Sequence, residues 1–314
     1  YPVGALAVHN WIVPAERAYA NSWMFAGTSL AASFTTPFVS WLMLRIGWRG
    51  TFFVTSVPAF VMALAWWLFS TNEPRQHRRI NQAELALTNS NVMPVRRTSG
   101  FPTLLRDRRI LLLCGSYLAE GYLLFIFVFW LYIYLVEKRG FSMMNGGLVA
   151  ALPWLTGLCF TPMGGYAADR IAVRRGRLHA AKYIVMTCYT VSGILLFVAA
   201  YAPSGAICVA ALCFSVGFLM AAEASFWVSA TYLAGERAGA VSGLMNTAGI
   251  FGGIVSTSVV PVLVAHFNWL VAFGSGTLVA LISVSLWILI AKQPEGERLR
   301  RIPFDLPDFR KELP

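Results

Sequence analysis

The stretch that decides the fold is residues 206–233, AICVAALCFSVGFLMAAEASFWVSATYL. Glu223 is its only charged residue. About 20 apolar residues are enough for a helix to cross a bilayer, so this run predicts a membrane-spanning helix. Its apolar residues follow one another without alternating with polar ones, which argues against a strand of a membrane barrel.

Apolar stretches of the same kind recur along the chain. Of all residues, 57% are apolar and 12% are charged, whereas about a quarter are charged in a soluble domain. We therefore predict an all-α, polytopic membrane bundle. Residues 1–13 are too few to span a bilayer, so the chain is expected to begin inside a helix. The predicted spans lie near 18–44, 51–70, 110–136, 144–168, 183–203, 206–233, 239–265 and 269–291.

The positive charges are distributed unevenly between the two sides of the predicted bundle. If the polar segments alternate sides, 21 of the 25 lysines and arginines fall on one side and 4 on the other. The positive-inside rule makes the rich side cytoplasmic. This predicts a multi-pass protein of the inner (plasma) membrane, with a polar linker at 71–109 and a tail at 292–314 in the cytoplasm. Binding to nucleic acid is disfavoured, because these charges flank spans and are not interleaved with stacking aromatics.

The residue types of common enzyme and metal sites do not form motifs here. The five cysteines lie inside apolar spans without a CxxC pair, and the four histidines are scattered without an HExxH pattern. The sequence also has no GxxxxGK[ST] phosphate loop and no GxSxG nucleophile motif. We therefore predict no enzymatic activity, no cofactor and no metal site.

Short patterns near the start of the chain recur later. Transporters are often built from such repeats. Residues 1–70 would then correspond to about 206–291. Three spans precede the second copy after the linker, so three spans are expected to be missing ahead of the first copy. The matches are Glu16-Arg17-Ala18 with Glu236-Arg237-Ala238, offset by 220 residues, and Trp48 and Phe52 with Trp269 and Phe273.

Four short motifs stand at or near the ends of the predicted spans and inside two of them. They are Trp11-Ile-Val-Pro14 with Glu16-Arg17-Ala18; Gly47-Trp48-Arg49 with Phe52; Tyr122, Trp130, Tyr134 and Leu135; and Asn246 with Gly249, Gly252 and Gly253. These motifs resemble those of the major facilitator superfamily, and within it the anion:cation symporter family of sugar-acid, tartrate and phthalate carriers. The likeness in the family's seventh helix has departures, since Gly121 replaces an asparagine, Phe125 a tyrosine and Tyr132 a proline.

This resemblance implies a fold of two six-helix halves, of which the first three helices and part of the fourth are missing. Residues 1–70 would be the remainder of the N-terminal half and residues 110–291 the complete C-terminal half. Segment 71–109 would be the cytoplasmic linker between the halves, and 292–314 the cytoplasmic tail.

The segment from Gly165 to Asp169-Arg170 resembles the superfamily's G-x-x-x-D-R loop motif. A glycine lets two helices approach closely, and a carboxylate can cap a helix end and pair with arginine. We expect Asp169 and Arg170 to form a cytoplasmic gate that breaks and reforms. The alternative is an ordinary loop with positive-inside charge, which would explain the following arginines but not the spacing from Gly165 to Asp169.

Glu120 and Glu223 lie inside predicted spans, at similar depth. An ionised side chain there costs several kcal/mol, so each must face a polar cavity, find a partner or carry a proton. Our hypothesis is that one of them takes up and releases the coupling proton. The alternative is a permanently protonated acid that is hydrogen-bonded between helices.

Four polar residues are candidates for substrate contact: Asn246, Tyr122, Thr28 and Ser225. Asn246 matches the family's eleventh-helix motif and offers both a donor and an acceptor. The alternative for each is a hydrogen bond between helices, which is common in membranes. The glycines that follow Asn246 are interpreted as close-packing positions.

The resulting hypothesis is proton-coupled symport of a small organic anion by alternating access, with a proton or sodium as coupling ion and a monomer in the lipid bilayer. No arginine or lysine lies inside a predicted span, so a cationic clamp for the anion is expected in helices ahead of this segment. The alternatives are a drug or metabolite proton antiporter of the same superfamily and a non-transporting membrane receptor. The antiporter would carry a Pro-Gly motif in the fifth helix, and Pro37 has no adjacent glycine.

Overall fold

The computed structural model describes residues 1–71, 73–77, 80–82, 84–85, 101–234 and 237–292. These residues form helices and short connections, without strands. Residues 86–100 of the predicted linker, 293–314 of the predicted tail and Glu236 of the repeat lie outside the described residues. The main helices are α1 (Pro2–Trp11), α2 (Arg17–Phe69), α3 (Arg108–Phe125), α4 (Met143–Arg175), α5 (Arg177–Tyr201), α6 (Gly205–Ala234), α7 (Ala238–His266) and α8 (Trp269–Lys292).

Seven helical segments of the described chain are long and apolar enough to cross a membrane, which confirms the polytopic α-helical prediction. The segment predicted at 18–44 is helical as part of α2 but is not among the seven. Polar side chains such as Asn21, Ser22 and Ser33 interrupt its apolar residues and are buried inside the bundle. The seven segments are Arg45–Phe69, Arg108–Lys138, Asn145–Arg175, Arg177–Tyr201, Gly205–Ala234, Ala238–His266 and Trp269–Ile290.

Helix α2 contains a break that separates two of the predicted spans. Gly47 has φ 69° and ψ 174°, a conformation outside the helical region. Glycine adopts positive φ without the steric cost that a Cβ atom imposes. The Gly47-Trp48-Arg49 motif therefore marks the break between the predicted spans at 18–44 and 51–70.

The G-x-x-x-D-R segment was expected in a loop, and the structure places it inside a helix. Gly165 to Arg170 lie within α4, which continues to Arg175. The connection to α5 is the single residue Gly176, with φ 81°. Asp169 is therefore held on a rigid helix near its C-terminal end.

The helices pack side by side in one connected bundle. Helix α6 packs against α4 and α5, and α2 packs against α4. Helix α3 packs against α7 and α8, and α8 also packs against α5. The α3–α7 contact is a backbone contact, since a Cβ atom on Gly121 would overlap the carbonyl of Gly249 and one on Gly252 would overlap that of Leu118. This geometry agrees with the close-packing interpretation of the glycines, and it leaves no room for a side chain at Gly121.

The helix that begins as α3 changes its hydrogen-bonding pattern toward its C-terminal end. Two π-helical stretches, Ile126–Trp130 and Tyr134–Lys138, flank a single α-helical turn. Just beyond them, the guanidinium of Arg139 donates hydrogen bonds to the carbonyls of Ala199 (2.6 Å) and Ala202 (2.7 Å) at the end of α5. A cation at a helix C-terminus is favourably placed, so Arg139 joins these two helix ends.

Candidate functional site

A cavity of about 500 Å³ lies where α2, α3, α6 and α7 meet. Four residues predicted as site residues line it: Thr28 from α2, Glu120 from α3, Glu223 from α6 and Asn246 from α7. The structure thus brings together one predicted residue from each of four helices. A volume of this size suits a small molecule, since ligand sites range over about 300–1,000 Å³.

Glu223 is held by two aromatic side chains that the sequence analysis did not single out. The Tyr117 hydroxyl donates a hydrogen bond of 2.6 Å to Glu223 Oε1, and the indole N–H of Trp227 donates one of 2.9 Å to the same oxygen. Trp227 is fully buried, and Glu223 is 4% exposed. Hydrogen bonds to an ionised group are about twice as strong as neutral ones, so this arrangement suits a carboxylate. The other oxygen, Oε2, is buried without a partner among the described residues.

The helix spacing explains how these groups converge. Trp227 follows Glu223 by four residues on α6, and Glu120 follows Tyr117 by three residues on α3, so each pair shares one helix face. This spacing was readable from the sequence. The sequence did not show that this face of α3 would pack against this face of α6, because Tyr117 and Glu223 are 106 residues apart.

Glu120 shares the cavity but has different surroundings. Its side chain is 1% exposed, and its Oε1 atom is buried with no hydrogen-bond partner among the described residues. Its carboxyl group lies within electrostatic range of the Glu223 carboxyl group. The two acids therefore repel each other whenever both are ionised.

Thr28 and Asn246 offer neutral polar groups to the same cavity. The Thr28 hydroxyl lies 2.9 Å from the phenolic oxygen of Tyr1, whose ring stacks on Phe25. Asn246 is half-buried. An amide and hydroxyls can bind the hydroxyl or carboxylate oxygens of a small ligand.

The other two predicted substrate contacts lie elsewhere. The Tyr122 hydroxyl is 2.8 Å from the Ser275 hydroxyl, which places it in the contact between α3 and α8. Ser225 is buried beside Asp169 and Arg177, where a small void remains. The structure brings neither residue to the 500 Å³ cavity.

Asp169 links α4 to the beginning of α2. Its Oδ2 accepts a hydrogen bond of 2.8 Å from the backbone N–H of Tyr19, and its Oδ1 accepts one of 3.3 Å from that of Ala18. The first N–H groups of a helix have no partner within the helix, and a carboxylate there is favoured by the helix dipole. A Cβ atom on Gly165 would collide with Ser22 on α2, so this glycine permits the approach.

The Arg170 side chain lies away from the contact between Asp169 and α2. Its guanidinium lies 5.0 Å from the ring centroid of Tyr166, on the wall of an open cavity of about 940 Å³. The arginine with electrostatic influence on Asp169 is Arg177, the first residue of α5. The turn at Gly176 carries Arg177 back toward the bundle, which the spacing of the motif does not reveal.

Metal binding has no support in the described part of the chain. There, His, Cys, Asp and Glu side chains do not assemble into groups of three or more that could hold a metal ion. The polar groups that the predicted residues offer to the cavity are the carboxyl groups of Glu120 and Glu223, the Asn246 amide and the Thr28 hydroxyl.

Comparison with curated proteins gives relatives that are transporters. The chain is 27% identical over 254 residues to the hexuronate transporter of Bacillus subtilis, covering 78% of this chain and 59% of that protein. It is 29% identical over 260 residues to the probable sulfoacetate transporter SauU of Cupriavidus necator (82% and 60% covered). It is also 27% identical over 308 residues to the D-galactonate transporter of Escherichia coli O6:H1 (92% and 70% covered). The chain thus spans about three fifths of the length of the first two relatives.

Solved structures show the same fold. The proton:xylose symporter XylE, bound to 6-bromo-6-deoxy-D-glucose, superposes with a TM-score of 0.66 at 14% identity, covering 91% of this chain and 66% of that one. A bacterial homologue of the iron transporter ferroportin gives a TM-score of 0.62 at 15% identity with the same coverage. The model of the Major Facilitator Superfamily matches residues 1–257. The chain is therefore an integral membrane protein that belongs to the Major Facilitator Superfamily.

Proposed function

We propose that this chain is part of a proton-coupled symporter that moves a small organic anion by alternating access around the 500 Å³ cavity. The observation that carries the proposal is the convergence of Glu120 and Glu223 with Asn246 and Thr28 on one cavity. Intramembrane acids are costly and mark ion or substrate pathways. A cavity with acids and neutral polar groups provides both a proton site and hydrogen bonds for a ligand.

The relatives support the choice of substrate class. Hexuronate, D-galactonate and sulfoacetate, which name the relatives, are all small organic anions. Lysine and arginine are absent from the described residues that line the cavity. We therefore propose that Asn246 and Thr28 bind oxygen atoms of the substrate and that its negative charge is balanced by a cation from outside the described residues.

The contact between Asp169 and the start of α2 supports the alternating-access part of the proposal. It joins α2 to α4, which belong to different halves in the predicted domain division. The arginines that follow Asp169 support a cytoplasmic position for this end of the bundle in our proposal, with the protein in the plasma membrane. The contact would then close the cytoplasmic side when it forms and open that side when it breaks.

Uptake of labelled D-galactonate or hexuronate into proteoliposomes tests the proposal. An inward proton gradient should drive accumulation, and the Glu120→Gln/Glu223→Gln double variant should lose accumulation while retaining exchange of labelled for unlabelled substrate. Glu137→Gln is a matched control, because Glu137 is an exposed acid at the end of the same helix as Glu120. Undiminished accumulation in the double variant, or uptake that follows only a sodium gradient, would contradict proton coupling.

A further inference from the structure

The two acids of the cavity are not equivalent. Glu223 Oε1 receives hydrogen bonds from the Tyr117 hydroxyl (2.6 Å) and the Trp227 indole (2.9 Å). Two donors that converge on one carboxylate oxygen favour the ionised form, because that form makes the stronger hydrogen bonds. Glu223 Oε2 is buried without a partner among the described residues, as Glu120 Oε1 is, so these two donors are what makes Glu223 the more favourable site of the two for a negative charge.

Glu120 has the opposite environment. Its buried Oε1 has no donor among the described residues, so nothing there offsets a negative charge on that oxygen. The Glu223 carboxylate nearby adds repulsion to the cost of burying the charge. The pair therefore favours one proton and one negative charge, with the proton on Glu120.

We infer that Glu120 carries the exchangeable proton of this site, whereas Glu223 is a fixed carboxylate that Tyr117 and Trp227 hold in place. The inference deepens the proposed proton coupling and depends on it for its role in transport. A proton from cavity water binds a carboxylate oxygen of Glu120 to give a neutral carboxylic acid, and it returns to water when Glu120 is exposed to the other side. Tyr117 acts as a positioning residue, through Glu223.

In the part of the chain that the structure describes, the other titratable groups that face the pair are tyrosines. Tyr117 lies on α3, the buried Tyr189 lies on α5 within electrostatic range of both acids, and Tyr1 precedes α1 on the cavity wall. Tyrosine is ordinarily neutral below about pH 10. Helices α2 and α7 present the neutral side chains of Thr28 and Asn246 to this cavity. The protonation of the site near neutral pH therefore rests on Glu120 and Glu223.

Infrared spectroscopy of the purified protein in lipid nanodiscs tests the assignment without a transport measurement. At mildly acidic pH, the carbonyl band of a protonated buried carboxyl group should be present in the native protein, lost in Glu120→Gln and retained in Glu223→Gln. Glu137→Gln should leave the band unchanged. Loss of the band in Glu223→Gln with retention in Glu120→Gln would overturn the assignment, and so would loss in both variants or in neither.

Tyr117→Phe tests the positioning role. Removing one of the two donors makes the Glu223 carboxylate less favourable, so Glu223 itself should bind a proton more readily. In the Glu120→Gln background, where Glu223 is the remaining acid of the pair, adding Tyr117→Phe should raise the pH midpoint at which the Glu223 carbonyl band appears by about one unit, the size expected from losing a hydrogen bond to a charged group. An unchanged midpoint in a folded Tyr117→Phe protein would show that the hydroxyl has only a structural role, and would overturn this part of the inference.

The infrared and transport experiments test the Glu120 assignment and the proposed symport separately. If the band follows Glu120 as described but uptake ignores the proton gradient, the proposed symport is wrong and the protonation of Glu120 stands. If uptake follows the gradient and Glu120→Gln accumulates substrate as the native protein does, the coupling proton lies elsewhere and the inference is wrong.

Discussion

Replacement of Asp169 by alanine should open the contact between α2 and α4. The carboxylate accepts hydrogen bonds from the first N–H groups of α2, at 2.8 Å from Tyr19 and 3.3 Å from Ala18. Loss of a helix cap costs about 0.5–2 kcal/mol, and a partly buried charge at a helix end contributes up to about 2 kcal/mol. These effects overlap, so we take about 2 kcal/mol, which corresponds to a shift of about 30-fold in the equilibrium between closed and open contact.

Spin labels on cysteines at positions 19 and 173 would report this equilibrium through their distance distribution. Position 173 is an exposed valine on α4, and position 19 lies at the start of α2. Cys159, an exposed cysteine, would first be replaced by serine. In Asp169→Ala the population at the longer distance should increase.

Asp107→Ala provides a matched control. Asp107 also caps a helix, since its carboxylate accepts a hydrogen bond of 2.9 Å from the N–H of Arg109 in α3. This cap joins no second helix, so its loss should leave the distance distribution between positions 19 and 173 unchanged. An unchanged distribution in Asp169→Ala, or the same change in both variants, would refute the view that Asp169 holds α2 against α4.

Three further predictions concern packing and binding. Gly121→Ala should lower the free energy of unfolding by about 1–3 kcal/mol, because the new methyl group overlaps the Gly249 carbonyl. Thermal unfolding in detergent checks this, with Gly147→Ala, which has open space around it, as the harmless control. Arg139→Lys should unfold at a lower temperature than the native protein, since a lysine cannot reproduce the forked contact with the α5 carbonyls, and equal melting would exclude this role. Asn246→Ala should weaken equilibrium binding of a sugar acid about tenfold, a loss of roughly 1.4 kcal/mol, whereas unchanged binding would remove Asn246 from the site.

The membrane spans could be predicted because bilayer thickness imposes a length on every apolar helix. The runs around Glu223 and Asn246 therefore appear in the structure close to their predicted bounds, as α6 and α7. The position of Gly121 in a tight contact was not predictable from its own neighbours, since it depends on the Gly249 carbonyl of another helix. Composition identifies a span, but contacts with other helices identify its partners.

Part of the site was also predictable from the sequence, because the membrane makes some residue types costly inside a span. Glu120 and Glu223 stood out because acids are costly inside a span, and their similar depth followed from their positions along the helices. The role of Tyr117 was hidden, because an aromatic residue in an apolar helix has no unusual cost until its hydroxyl meets a carboxylate. Asp169 was predicted to form a gate with Arg170, but its hydrogen bonds to the beginning of α2 emerged only from the fold.

The backbone contact between α3 and α7 has a mechanical consequence. At Gly121 and Gly252 the backbones of the two helices are in direct contact, and the rings of Tyr117 and Phe125 pack against the other two glycines of α7, Gly249 and Gly253. The two helices should therefore move as one rigid unit. Glu120 on α3 and Asn246 on α7 line the cavity from this unit. The distance between their side chains should therefore remain constant through a transport cycle. A ligand would then lie between a fixed wall of the cavity, made of α3 and α7, and a movable wall that includes Thr28 on α2. The fixed wall would set the length of the ligand that fits.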